Sequence, residues 1–144
     1  MKPFTHKTFV GDFFDVLRAA APAARPGITV SHGGTRDGEA VISAISGFFD
    51  IPQLPDLTAS LDALLTARVK LIVLDLARVR FFSHNAAGVL VNFASSVEGR
   101  GKRLVLYRPS LTVQQTLGAL ALLHLFEIQQ TEEELLLDLP EQSL

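Results

Sequence analysis

The chain has 144 residues, of which 48% are hydrophobic and 19% charged, with a formal net charge of −2. That is enough apolar material for one compact core and argues against disorder. Basic and acidic residues are interspersed, so no basic stripe gathers phosphates and nucleic acid is not an expected partner. The absence of cysteine excludes disulfides, thiolate chemistry and cysteine-ligated zinc. No apolar run reaches the roughly eighteen residues of a membrane helix. The longest, residues 117–126, is interrupted by Gly118 and His124. The opening MKPFTHKTF lacks the order of a signal peptide. Direct membrane insertion is therefore not expected, and a cytoplasmic location is.

In chain order, Phe9, Phe13, Leu17 and Ala20 recur at helical spacing, with Val10, Phe14 and Ala21 widening the stripe and Asp12, Asp15 and Arg18 opposite. This predicts an amphipathic helix. The stretch AAAPAARPG at residues 19–27 reads as a linker. The chain thus divides into an N-terminal helix and linker, residues 1–25, and a main domain, residues 26–144. A short helix is marginal alone, so its phenylalanines need a surface, in cis or on a partner. Phe9, Phe13, Phe14 and Leu17 are accordingly candidate docking residues.

Residues 28–32 and 39–46 read as a β-hairpin around the turn-rich Gly33, Gly34, Asp37 and Gly38. A helix follows Pro52 and Pro55, with Leu54, Leu57, Leu61, Leu64 and Leu65 on one face. Residues 71–76 are nearly continuous and apolar, as in a strand buried on both faces. A helix from about residue 83 to 98 carries Val89, Leu90, Phe93 and Val97 and is stopped by Gly99 and Gly101. Residues 104–107 form another buried strand. A helix capped by Ser110 or Thr112 turns Val113, Leu117 and Leu120 inward, with Leu123 next on the same stripe. A strand at 126–129 and a last helix, opened by the capping box of Thr131 and Glu134, complete the pattern. The order predicts an α/β domain whose mixed sheet has parallel strand–helix–strand units after residue 70.

The common catalytic templates are absent. The histidines His6, His32, His84 and His124 fall at no metal-ligand spacing, and no glycine-rich phosphate loop or nucleophile elbow occurs. Asp75, in a buried strand, reads as a structural carboxylate that caps nearby backbone. Glu132, Glu133 and Glu134 sit at a helix start, where the macrodipole favours acids. No enzyme activity, cofactor or metal is expected.

The stretch IVLDLARVRFFSHNAAGVLVNF, residues 72–93, resembles the central segment of STAS domains, the bacterial anti-sigma-factor antagonist family. Leu74-Asp75-Leu76, Val79, Phe81-Phe82 and Val89-Leu90 carry the likeness. Upstream, Gly47, Asp50, Pro55, Asp56 and Leu57 resemble the family's G-E-L-D-x-x-x-x-P-E-L. Downstream, Val113, Leu117, Leu122 and Phe126-Glu127-Ile128 match a third family motif, with Ala121 in place of its glycine. The likeness runs from about residue 28 to 139. The N-terminal helix has no counterpart in the minimal pattern.

The departure is at the switch. Regulated family members carry D-S-S-G or D-S-T-G, and a kinase modifies the first hydroxyl after the aspartate. Here those positions are Ser83, His84, Asn85 and Ala86. Ser83 replaces the aspartate and His84 the acceptor. Ser83 remains the weaker alternative acceptor, one residue early, and phosphohistidine at His84 weaker still. The resemblance implies a non-enzymatic, constitutive partner-binding or scaffold domain that uses Asp50, Phe82, Ser83, His84 and Asn85. Its partner would be an anti-sigma factor with a kinase-like ATPase fold, or other STAS proteins, with a homodimer open. Two alternatives stay open: a soluble accessory subunit of a lipid-transport ABC complex, and a sensor of a nucleotide or lipid.

Overall fold

The computed structural model describes residues 28–34 and 40–138. The N-terminal segment with Phe9, Phe13, Phe14 and Leu17 lies outside the described residues. The elements are β1 (Ile28–Gly34), β2 (Ala40–Phe49), a 3-10 turn (Ile51–Gln53), α1 (Leu54–Leu65), β3 (Leu71–Asp75), β4 (Val79–Phe82), α2 (His84–Gly99), β5 (Arg103–Tyr107), α3 (Leu111–Ala119), a second 3-10 turn (Leu123–Leu125), β6 (Glu127–Gln129) and α4 (Glu132–Asp138). The sheet order is β1-β2-β3-β5-β6, with β4 paired to β2. β1 runs antiparallel to β2, and every other pairing is parallel. This is the expected mixed α/β domain.

Its helices follow from apolar stripes and caps. Leu57, Leu61 and Leu64 bury one side of α1, which opens with proline in its first turn. Ala86, Ala87, Leu90, Phe93 and Val97 bury one side of α2. With α3's Val113 and Leu117 they cover one face of the sheet, against Ile45, Ile72, Leu74 and Leu106. Ser110, not Thr112, caps α3, its Oγ accepting from the Val113 amide at 3.4 Å.

Both α2 and α3 end in a Schellman motif. After α2, the Lys102 amide donates to the Val97 carbonyl at 3.0 Å and Gly101 to Glu98 at 2.9 Å, with Gly101 at φ +70. After α3, Leu122 donates to Leu117 at 2.8 Å and Ala121 to Gly118 at 3.0 Å. Here Ala121 takes φ +57, a left-handed conformation that its Cβ disfavours. That turn ends α3 at Ala119, so Leu123 and His124 lie in the second 3-10 turn, not on the helix, and His124 is exposed.

β4 is the element that the sequence pattern does not predict. β2 extends to Phe49, three residues beyond expectation, because at Gly47 it exchanges one partner for another. Its residues 40–44 pair with β3, and 47–49 with β4, across a register shift between Gly47 and Phe48. Gly47 sits at φ +112, which glycine adopts without a steric cost. A β-bulge of this kind bends a strand and re-aims its side chains.

Candidate partner-binding site

On β2 simple alternation from Ile45 turns Phe49 inward, and on β4 the register shift, with Arg80 as the extra residue, turns Phe82 inward. Phe49 pairs with Phe82 and Phe48 with Phe81. Phe49 and Phe82 are 1% and 3% exposed, with ring centroids 6.1 Å apart. Phe48 and Phe81 turn outward, 49% and 43% exposed. Phe82 is therefore a core residue, and its sequence neighbour Phe81 presents the aromatic surface. Burial along β4 runs in, out, out, in, so strict alternation does not hold through this short strand. Ile51, 61% exposed, follows at the start of the first 3-10 turn.

β4 leads directly into α2. The Ser83 amide donates to the Phe49 carbonyl at 3.0 Å, which ties the helix entrance to β2. Ser83 is the N-cap, with φ −72 and ψ 164, and its Oγ accepts from the Ala86 amide at 3.0 Å. The hydroxyl that stands one residue before the family's acceptor position is thus committed to holding the helix start. His84 and Asn85, the first two residues of α2, are exposed. Ala86, in the glycine's place, is fully buried. On the other side, the Thr116 hydroxyl of α3 donates to the Phe82 carbonyl at 2.8 Å and fixes β4 from behind.

Asp50 is exposed and close in sequence to this surface, but its carboxylate has a local task. Its Oδ1 accepts from the Ile51 amide at 2.8 Å, while its own amide donates to Gln53 Oε1 at 3.1 Å. That capping box holds the first 3-10 turn, and with it Ile51, beside the end of β2. The structure thus gathers Asp50, Ser83, His84 and Asn85 at one end of the sheet and adds Phe48, Ile51 and Phe81. The Phe48-Phe49 and Phe81-Phe82 doublets were the available sequence signal, since each doublet places one ring on either side of a strand.

Asp75 serves structure, as its sequence context indicated. Its Oδ1 accepts from the Ala77 amide at 3.1 Å, and its Oδ2 from Arg108 Nη2 at 2.9 Å. The Arg108 partnership is new: that residue takes φ +48 and lays its guanidinium 4.7 Å from the Tyr107 ring centroid. Burial opposes the Arg108 charge, but the hydrogen bond and charge of Asp75 prevail and raise its pKa. Burial likewise raises the Tyr107 pKa. Glu134 forms the expected capping box with Thr131 at the start of α4.

Away from α2's N-terminus lies a groove of about 440 Å³, lined by Val91, Ala94, Glu98, Lys102, Leu104 and Phe126 among others. Among the described residues no group of three metal-ligating side chains occurs, and no helix is long and apolar enough to cross a membrane.

The comparisons with known proteins agree on the fold. An anti-sigma factor antagonist from Mycobacterium paratuberculosis is similar at 18% identity and TM-score 0.66, covering 78% of this chain and 95% of that one. The anti-sigma factor antagonist SpoIIAA in its unphosphorylated form is similar at 20% identity and TM-score 0.59, with coverage of 74% and 92%. The protein TM1081 is similar at 22% identity and TM-score 0.62, with coverage of 74% and 85%. At these identities the likeness is one of fold. No curated protein matches the sequence. The family profile described as the STAS domain matches residues 34–135, from the end of β1 to Leu135 of α4. The chain belongs to the STAS domain family.

Proposed function

We propose that the protein is a non-enzymatic regulator that binds a partner protein through the surface around α2's N-terminus, constitutively and without a phosphate switch. The observation that carries this reading is that Phe48 and Phe81, at the paired ends of β2 and β4, and His84 and Asn85, at the start of the helix that follows, are all exposed. Exposed aromatic rings flanked by hydrogen-bonding side chains are the composition of a protein interface core and its rim. The partner we infer is an anti-sigma factor, the class that the structural neighbours' names point to, and the family resemblance implies that it has a kinase-like fold. In switched relatives a phosphate at a helix start adds nearly two negative charges to such a surface. Here the acceptor position holds imidazole, and the neighbouring Ser83 oxygen caps the helix. Affinity and partner concentration would then set occupancy.

Two measurements test the reading. Asn85→Glu adds a negative charge on the docking face, at a helix start where acids are tolerated. Titration against the host's kinase-fold anti-sigma factor should show affinity reduced by about tenfold or more, equal to about 1.4 kcal/mol. An unchanged affinity places the interface elsewhere. Incubation with the same partner and ATP should leave the chain's mass unchanged. A phosphate recovered on Ser83 or His84 would contradict the constitutive reading.

A further inference from the structure

The sheet has a second buried face, opposite the one covered by α1, α2 and α3. Register defines it. Ile42, Val73 and Val105 form one row across β2, β3 and β5, and all three are 0% exposed. Ala40 and Leu71 lie in the row before, and Ala44, Asp75 and Tyr107 in the row after. None of Ala40, Ile42, Leu71, Val73, Val105 or Tyr107 belongs to the large core cluster.

Among the described elements only α4 serves this side. It packs against β6, buries Leu135 completely, and brings Glu132 close enough to influence Tyr107. Its seven residues span only about 10 Å. β6 is at one edge of the sheet, whereas Leu71 and Ile42 lie two and three strands away. α4 therefore leaves the β2–β3 part of the face to another cover.

Three stretches of chain are available: residues 1–27, 35–39 and 139–144. The second, TRDGE, has no large apolar side chain, and the third, LPEQSL, has two leucines flanking polar residues and a proline. The first carries Phe9, Val10, Phe13, Phe14 and Leu17 on one helical stripe, with Asp12, Asp15 and Arg18 opposite. It also joins β1 next to β2, at Ile28 opposite Gly47. The last six residues of its linker, 22–27, alone reach roughly 20 Å when extended, enough to turn the segment back over the strands. A row across three strands spans about 10 Å, the width of one helix.

We propose that the N-terminal segment is the cover of this second sheet face, in cis, with Phe9, Phe13 and Leu17 lying over Ile42, Val73 and Leu71. Its stripe is then an internal packing surface, leaving α2's N-terminus as the docking surface. This inference is independent of the partner's identity.

The chain's lack of cysteine permits a direct test on the full protein. A nitroxide attached at Asp15→Cys, on the polar side of the segment, should broaden amides of β2 and β3 around Ile42 and Val73 more than those on the outer sides of α1 and α2. Weak or uniform broadening overturns the proposal. Broadening of isotope-labelled, spin-free chains mixed with spin-labelled, isotope-silent ones shows that a second copy supplies the cover, and also overturns it. Independently, the Phe9→Ser, Phe13→Ser, Leu17→Ser variant should lower Tm by on the order of 10 °C or more and increase binding of an apolar dye severalfold. Asp12→Ser with Asp15→Ser should change neither. A triple variant as stable as the parent would contradict the proposal.

Discussion

The two phenylalanine pairs of β2 and β4 share strands, register and residue type, yet differ in every consequence. Phe49 and Phe82 are closed into the core at 1% and 3% exposure. Phe48 and Phe81, one residue earlier on each strand, are about half exposed. Burying a phenylalanine side chain is worth roughly 1.5–3 kcal/mol, so leaving two outward forgoes stability that the fold has access to. The inner pair accounts for folding. The outer pair needs another reason, and the surface proposed for partner binding supplies one.

Substitutions can separate the pairs. Phe82→Ala should destabilise by about 3–5 kcal/mol, read from urea unfolding, because it leaves a cavity between β2, α2 and α3. Phe81→Ser should weaken partner binding by about tenfold or more while changing stability by less than about 0.5 kcal/mol. A Phe81→Ser protein that unfolds like Phe82→Ala would dissolve the distinction. Ser83→Ala removes the cap that positions His84 and Asn85, and should cost about 1 kcal/mol of stability together with a smaller loss of affinity. Ala121→Gly lies outside both pairs and relieves the left-handed strain in the second Schellman motif. It should stabilise by about 0.5–1 kcal/mol, seen as a higher urea midpoint, with binding unchanged.

How far the sequence revealed this arrangement depended on how local each signal was. Helical stripes and caps are local, so α1, α2, α3 and the capping box at Thr131 and Glu134 were legible. The hydrophobic run at 71–76 was legible for the same reason. β4 was not, because four residues carry too little pattern and its pairing depends on β2 some thirty residues earlier. On β2, alternation from buried Ile45 turns Phe49 inward, but on β4 the register shift leaves Arg80 as an extra residue, a tertiary feature that puts Phe82 rather than Phe81 on the inner side with Val79. The glycine-to-alanine change at 121 was visible in the sequence, but its meaning came from the φ of +57 there. Ser83 is of a residue type that caps helices and stands where the predicted helix begins, and its Oγ does cap α2. Ile51 had no sequence signal beyond its place after Asp50, whose own capping box holds it outward.

The proposed binding surface joins the outward aromatic pair to the α2 entrance. Its most direct test is a calorimetric titration of the host's kinase-fold anti-sigma factor with the parent chain and with Phe81→Ser, both shown beforehand to have the same unfolding midpoint. The parent should bind saturably without added nucleotide, and the variant at least about tenfold more weakly. Equal affinities for the two, or no binding by the parent, would contradict the proposal.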